Sequence, residues 1–370
     1  MEKNEILVVY GTRPAEMVYK IAESAALAEL IGDRKKRIGL KPNLVLSRPA
    51  EEGATTHPEI AAGLIAYLKK NGFKNLCILE GSWVGDSTSR AFSSCGYRSL
   101  AKEAEVELID TQKDKYRIVD CKGMKIEICQ SALALDFMIN LPVMKGHCQT
   151  RLTCALKNNK GLISDSEKRR FHSLGLTKPI AHLNTAIRND FIVVDGINGD
   201  LDFEEGGNPV YAGRIFAARD PVLCDAWAAA LMGLSVSDVP YIGLAEKLSV
   251  GSMGPARIRE LNQNSQAEGL HPAPQKTPGF INGGKVGQLS AFIQEEGACS
   301  ACYAGLVYAL SRMESAKRGR LGRICIGQGF NGKKARVGVG QCTSGFESFC
   351  PGCPPTGAEI LSFLNQLKAL

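Results

Sequence analysis

Through the first two-thirds of the chain, apolar blocks of two periodicities alternate. Short β-branched runs at Ile6–Tyr10, Arg37–Leu46, Asn75–Glu80, Val106–Asp110, Phe137–Val143 and Phe191–Asp195 predict strands. Between them, Pro14–Ile31, Pro58–Asn71 and Asp86–Cys95 carry apolar residues near helical spacing, and Asp220–Leu234 reads as an Ala-rich buried helix. Arg117–Cys121 and Lys125–Cys129 predict a hairpin, and the charged run Ser164–Arg170 a plain solvated helix. Strand–helix alternation of this kind predicts an α/β fold, a mostly parallel sheet flanked by helices. The pattern lapses at Asn262–Gly284, where Asn, Gln, Pro and Gly take over. The expected organisation is therefore an α/β ligand-binding domain over 1–261, a linker over 262–284 and a smaller C-terminal α/β cysteine-rich module over 285–370.

Composition narrows the class. With 370 residues, 44% hydrophobic and 22% charged, the chain is globular and long enough for two domains. Its most apolar stretches, Ser131–Met144 and Phe216–Leu234, are broken by Asp136 and by Arg219, Asp220 and Asp225, so no membrane span is expected. The N-terminus lacks the basic start and long apolar core of a signal peptide, which leads to a cytoplasmic expectation. An odd count of thirteen cysteines also argues against a disulfide framework. Net charge is +7, yet the last 72 residues hold nine Lys or Arg against three acids and six of the cysteines. Charge and sulfur thus belong to the tail. Nucleic acid is not an expected partner, because the charge is confined, aromatics are 6% and no recognised binding motif accompanies them.

The tail places Cys299 and Cys302 in a C-x-x-C ahead of an apolar helical run, Cys342 in a G-x-C turn, and Cys350 and Cys353 in a second C-x-x-C closed by Pro354-Pro355. Such turns present thiolates toward one metal centre, and nearby cations from Arg312 to Arg336 offer compensating charge. Two C-x-x-C pairs also make a structural zinc module, although here 47 residues separate them, against about 15–20 in a zinc ribbon. The C-x-x-C, G-x-C and P-G-C-P-P elements resemble the ligand set of the [4Fe–4S] cluster in the small subunit of nickel–iron hydrogenases. The related quinone-reductase subunit of respiratory complex I shares the last two elements. This resemblance covers the last quarter of the chain and implies Cys299, Cys302, Cys342 and Cys353 as ligands, with Cys350 as a substitute. The extra cysteines at 325 and 350 depart from the pattern.

In an α/β sheet, ligands sit beyond the carboxyl ends of the strands. There the chain offers Lys41 and Asn43, then Lys145 and His147, then Lys157 and Asn158, side chains suited to an anionic small molecule such as a phosphate or carboxylate. Lys41-Pro42-Asn43 has little evident folding value, because proline interrupts sheet hydrogen bonding. Lys157 and Lys160 also read as solvated helix-end charges, and Asp220 and Asp225 as capping and solubilising residues. Glu80, Asp110 and Asp195 would suit a divalent cation if the fold brought them together.

KPNLV at 41–45, EG at 80–81, the lysine–histidine strand end running to LKNNKG, DG at 195–196, RDPVLCDAWAAALMG at 219–233 and YIGLAEKLSVG at 241–251 recur together in one family. Over roughly residues 5–260 the chain resembles the domain-of-unknown-function 362 family, whose members often carry ferredoxin-type cysteine repeats near the C-terminus. This chain lacks that repeat and has its own cysteine pattern in the corresponding place. The resemblance implies an iron–sulfur-associated α/β protein. Two functions follow as expectations. In one, the α/β domain binds an anionic small molecule and a tail cluster transfers an electron or activates that ligand. In the other, the chain is a non-catalytic electron carrier or maturation factor that docks on a redox protein partner.

Overall fold

The computed structural model describes residues 1–262 and 288–367. All of the glycine- and proline-rich stretch 262–284 except Asn262 lies outside the described residues. The chain forms two units. One comprises Met1–Glu167 and the chain from Thr177 to the undescribed stretch; the other comprises Lys168–Leu176 and the C-terminal chain.

Among its described residues the first unit holds twelve strands: β1 (Glu5–Tyr10), β2 (Ile38–Pro42), β3 (Leu76–Glu80), β4 (Glu107–Asp110), β5 (Tyr116–Asp120), β6 (Lys125–Cys129), β7 (Phe137–Leu141), β8 (Lys145–His147), β9 (Arg151–Thr153), β10 (Phe191–Asp200), β11 (Pro209–Ala218) and β12 (Arg257–Glu260). Eight of them make one sheet in the order β12-β1-β11-β10-β7-β2-β3-β4. Every neighbour pair is parallel except those of β11, which runs antiparallel to β1 and β10. β5–β6 and β8–β9 are separate antiparallel hairpins. The fold is α/β with a mostly parallel sheet.

Helices cover both faces, as period-two burial requires of a central sheet. Leu7, Val9, Ile38, Leu40, Ile139 and Val193 pack with Met17, Ile21, Ile60 and Leu64 of the helices Pro14–Ser24 and Pro58–Lys70. On the opposite face Phe216 meets Trp227 of the helix Pro221–Leu231 edge-on at 4.7 Å. Asp220 caps that helix by accepting the backbone N–H groups of Val222 and Leu223, with Pro221 in the first turn.

Several elements are shorter or longer than the pattern predicts. The Arg37–Leu46 run is a strand only to Pro42, where the missing N–H ends the ladder. Pro14–Ile31 is two helices, Pro14–Ser24 and Leu27–Ile31, separated by Ala26 at a left-handed φ of 52°. β11 has no counterpart in the periodicity, because PVYAGRIFAA neither alternates nor keeps helical spacing. Asp225 is not a solubilising residue. It is buried and accepts the backbone N–H of Ala155 (2.7 Å) and Leu156 (3.2 Å), capping a different helix, Ala155–Asn158.

The second unit has a four-stranded parallel sheet, β13 (Ile293–Glu295), β14 (Ile324–Ile326), β15 (Val337–Val339) and β16 (Ser348–Cys350), in sequence order. Helices Ser300–Arg312 and Gly357–Gln366 accompany it, the latter closed by a Thr356–Glu359 capping box. Cys325 packs with Phe330 and Phe346, so this extra cysteine serves as a core hydrophobe. The expected solvated helix at Ser164–Arg170 is a correction. The helix is Asp165–Ser173, and its Glu167, Lys168, Phe171 and His172 are buried. From Lys168 onward it belongs to the second unit, where Gln328 Nε2 donates to Arg169 O at 2.9 Å and Ser300 Oγ lies 3.3 Å from His172 Nε2.

Candidate functional site

Lys41, Asn43, Lys145, His147, Lys157 and Asn158 come together in one buried layer at the carboxyl ends of β2, β3 and β7. Lys41 is fully buried. Its ammonium is paired with Glu80 at the end of β3 and donates to Pro42 O (3.0 Å) and Asn158 Oδ1 (3.3 Å). Lys41-Pro42-Asn43 therefore does have folding value, and Glu80 serves this pair. Gly161 is required beside it: a Cβ there would stand 2.0 Å from Glu80 Oε1 and 2.8 Å from Lys41 Nζ. Asn158 extends the contact into a ladder of carboxamides, donating to Asn140 Oδ1 at 2.7 Å, while Asn140 donates to Asn189 Oδ1 at 2.9 Å.

Lys145, His147 and Lys157 gather around Glu204, from the turn between β10 and β11. Lys145 Nζ reaches Ala54 O, Glu204 O (2.8 Å) and Asn43 Oδ1 (3.4 Å). Burial pulls this ammonium down to about 7. All three contacts are acceptors, however, and only the charged form has three N–H groups to fill them. His147 Nδ1 accepts the backbone N–H of Gln149 (3.0 Å) and Thr150 (3.2 Å), which puts the ring proton on Nε2, against Glu204. Burial, only partly offset by Glu204, pushes the imidazole down to about 3. Lys157 Nζ lies 3.4 Å from Glu204 Oε2 and is itself buried, which corrects its reading as a solvated helix-end charge. Neighbouring Glu205 is pushed up to about 8 by burial and then by Glu204. The carboxylate of Asp200 accepts the backbone N–H groups of Asp202, Phe203 and Asn208. The cations expected for an anionic ligand thus carry their own counter-ions. Glu204 Oε1 and Glu205 Oε2 are buried acceptors with no hydrogen bond among the described residues.

Neither Asp110 nor Asp195 joins Glu80 in a cation site. Asp110 caps the short turn at Thr111, and Asp195 holds His57. Among the described residues, two other groups bring three candidate ligand atoms within 4.8 Å of one another, His147–Cys148–Glu204 and Cys154–Cys224–Asp225. The first fits a metal poorly, since the Nδ1 lone pair meets two amides and Nε2 carries the proton. In the second, Asp225 already caps a helix, and burial holds the Cys154 thiol well above its ordinary value.

None of the thirteen cysteines forms a disulfide. In the second unit, the turns bearing Cys299, Cys302, Cys342 and Cys353 converge. Cys299 occupies the N-cap position of the helix Ser300–Arg312, without a side-chain capping bond, and Cys302 sits in its first turn, where the positive end of the helix dipole favours anionic sulfur. Cys342 lies in the turn Gln341–Thr343 after β15, and Cys353 follows β16. Gly340 N donates to Cys350 O and Gln341 N to Gly352 O, both at 2.8 Å, which ties the G-x-C turn to the P-G-C turn. Gly340, at φ +90°, brings its backbone close enough that a Cβ would meet Cys302 Sγ at 3.4 Å. Burial pushes the Cys302 thiol up strongly, reinforced by Cys299, Cys353, Cys342 and then Cys350. Cys342 is raised by burial and by Cys353, against the opposing charge of Arg169. The basic residues expected to attend the thiols are largely engaged elsewhere. Arg312 stacks on Tyr308 at 3.6 Å, Lys317 donates to Asn365 O, Arg318 to Leu310 O, Arg323 to Ala291 O, and Lys333 pairs with Glu296.

The sequence matches the family described as Domain of unknown function (DUF362) over residues 38–230, more than half of the chain. The chain belongs to this family. The match spans β2 through most of the helix Pro221–Leu231 and so contains the whole lysine–asparagine layer, whereas the cysteine turns lie outside it. The thylakoid-associated protein sll1697 of Synechocystis sp. is 25% identical over 233 residues, covering 58% of this chain and 68% of that protein. Among solved structures, the lactate racemase apoprotein from Thermoanaerobacterium thermosaccharolyticum is similar at a TM-score of 0.38 and 13% identity, over 58% of this chain and 54% of that one. A protein from Thermotoga maritima is similar at 0.38 and 16%, over 56% of each chain. The chain spans about half the length of these two structures. Among the described residues no helix is long and apolar enough to cross a membrane.

Sequence reasoning missed Glu204, Glu205, Arg169, the Asn140–Asn189 ladder and His57. Glu204-Glu205 reads locally as part of a polar turn ending in Gly-Gly, and its partners are about fifty residues away in sequence.

Proposed function

We propose that this chain is an iron–sulfur protein. In this reading Cys299, Cys302, Cys342 and Cys353 hold a [4Fe–4S] cluster, and the α/β unit binds an anionic small molecule at Lys145 and Lys157. The observation that carries the first part is the linkage of the G-x-C and P-G-C turns by the Gly340 and Gln341 amides, with Cys302 against Gly340. The donor set fits. Four soft thiols share one neighbourhood, each raising the charge cost of the next, and a cationic iron core relieves that repulsion. Sequence spacing favours a cluster over a zinc ribbon: 47 residues separate the two C-x-x-C pairs, against about 15–20 between ribbon knuckles. Cys350 is a weaker ligand than Cys353. It is the last residue of β16, buried, and acts least strongly of the four other thiols on Cys302. When bound, such a cluster supplies one-electron transfer. Arg169 offsets charge beside Cys342, and the helix N-terminus does so beside Cys299 and Cys302.

Support for the second part is the gathering of two buried lysines beyond the strand ends, Lys157 beside the Glu204 carboxylate and Lys145 on the Glu204 carbonyl, with the Glu205 carboxyl pushed up to about 8 by burial and by Glu204. Thirteen cysteines outside any disulfide suit a reducing, cytoplasmic setting. The test is electron paramagnetic resonance of anaerobically purified, dithionite-reduced protein. A signal retained in Cys350→Ser and Cys325→Ser but lost or altered in Cys302→Ser and Cys353→Ser supports the assignment. A signal indifferent to Cys302 and Cys353 refutes it. For the ligand, a shift of the reduction potential by acetate or phosphate that Lys157→Gln abolishes is expected; no shift with either anion counts against that part.

A further inference from the structure

The first unit contains a cavity of about 450 Å³ whose wall includes Thr12, Glu51, His57, Glu59, Asn198 and Tyr211. None of its lining residues belongs to the lysine–asparagine layer. His57 immediately precedes Pro58, the first residue of the helix Pro58–Lys70, and is locked in place by Asp195. Its backbone N–H and its Nδ1 both meet Asp195 Oδ2, at 2.9 and 2.7 Å. Asp195 is fully buried in β10, and its other oxygen accepts Ile197 N at 3.1 Å. A carboxylate can only accept, so the ring proton resides on Nδ1 and the Nε2 lone pair is left over. His57 is 7% exposed and lines the cavity, and Nε2 has no hydrogen bond among the described residues. This is an oriented imidazole with a vacant acceptor.

The rest of the wall selects the ligand. Its charged residues are Glu51 and Glu59, and neither Lys nor Arg contributes. Asn198 uses its Nδ2 on Ala50 O and Glu51 O, at 3.1 and 2.9 Å, which leaves Oδ1 as another acceptor. Two carboxylates, one imidazole nitrogen and one carboxamide oxygen are all acceptors, and a primary ammonium is a compact cation with three N–H donors. The Tyr211 ring adds an aromatic surface on which a cation is favoured. The geometry points to a second binding site, distinct from the lysine–asparagine layer, in which Nε2 of the Asp195-oriented His57 accepts a hydrogen bond from the ammonium group of a small aliphatic amine. Burial lowers the His57 pKa, but Asp195, Glu59 and Glu51 outweigh it, so the imidazole gains its proton more readily than usual. Proton and amine then compete for Nε2.

The experiment uses the full chain at about pH 9, where a primary amine stays charged and an ordinary imidazole is neutral. Butylamine is titrated, with butyrate and 1-butanol as controls of like size, while the His57 ring signal is followed by NMR of histidine labelled at Cε1. Saturable butylamine binding with none by butyrate is expected. His57→Asn keeps a side-chain donor for Asp195 but has no atom in place of Nε2, and is expected to weaken butylamine about tenfold or more. Glu59→Gln, an exposed substitution, is expected to weaken it several-fold without altering the fold. The proposal is overturned if butylamine fails to bind, if butyrate binds as well, or if neither substitution changes butylamine affinity.

Discussion

Lys41→Met tests whether the lysine–asparagine layer is built on its ion pairs. The substitution keeps most of the side-chain length and removes the ammonium. Glu80 would then be 3% exposed at its side chain with no cation beside it, its remaining contact being the Gly81 N–H at 2.7 Å. Breaking a buried pair from one side costs about 3–5 kcal/mol, because the orphaned charge remains desolvated. For a unit of this size, about 1 kcal/mol moves the midpoint by 2–4 °C, so a fall of roughly 6–20 °C is expected. Both tryptophans, Trp83 and Trp227, lie in the first unit, so their fluorescence reports its unfolding alone. Under anaerobic, reducing conditions, urea and thermal transitions would be followed for wild type, Lys41→Met, and Lys41→Met combined with Glu80→Gln. The double variant removes the stranded charge and should recover at least half of the loss. The reasoning is refuted if Lys41→Met lies within about 1 kcal/mol of wild type, or if the double variant is no more stable than the single.

Gly161→Ala should lower stability by a comparable amount, since its Cβ would enter the space of Glu80 Oε1, and the loss should be much smaller when measured in Lys41→Met. His147, at about 3 in the folded chain, should show no imidazole titration by NMR between pH 5 and 8. Because the unfolded state binds the extra proton below about 6.5, His147 should make stability fall as pH drops from 6.5 toward 3, by up to about 2 kcal/mol at pH 5. The difference between wild type and His147→Gln across that window measures this, and a pH-independent difference would contradict it. Cys325→Ala should cost core stability in the second unit without touching metal content, which comparing unfolding with iron analysis would establish.

What the sequence made legible was local. Strand ends bearing Lys41, Lys145 and Asn158 follow apolar runs, and parallel topology brings such ends to one edge of the sheet, so the six chosen residues do meet. Their counter-ions were not legible. Glu80 is 39 residues from Lys41 and Glu204 is 57 from His147, and no periodicity relates them. Gly161 is the one local trace, a glycine whose reason is a carboxylate from another strand. Asp195 shows the same limit. Its place after an apolar strand marked it as interesting, but His57, 138 residues away, decides its role. The helix Asp165–Ser173 failed for a different reason. Its charged residues spell a solvated surface, yet Lys168–Leu176 joins the second unit, and burial there follows from a chain crossing that composition does not record.

The central claim is a four-thiol iron site in the tail, and the most direct measurement is the metal and sulfide content of one anaerobically purified sample. About four iron and four acid-labile sulfides per chain, with little zinc, are predicted for one [4Fe–4S] cluster. Colourless protein with about one zinc per chain and no labile sulfide would contradict the account.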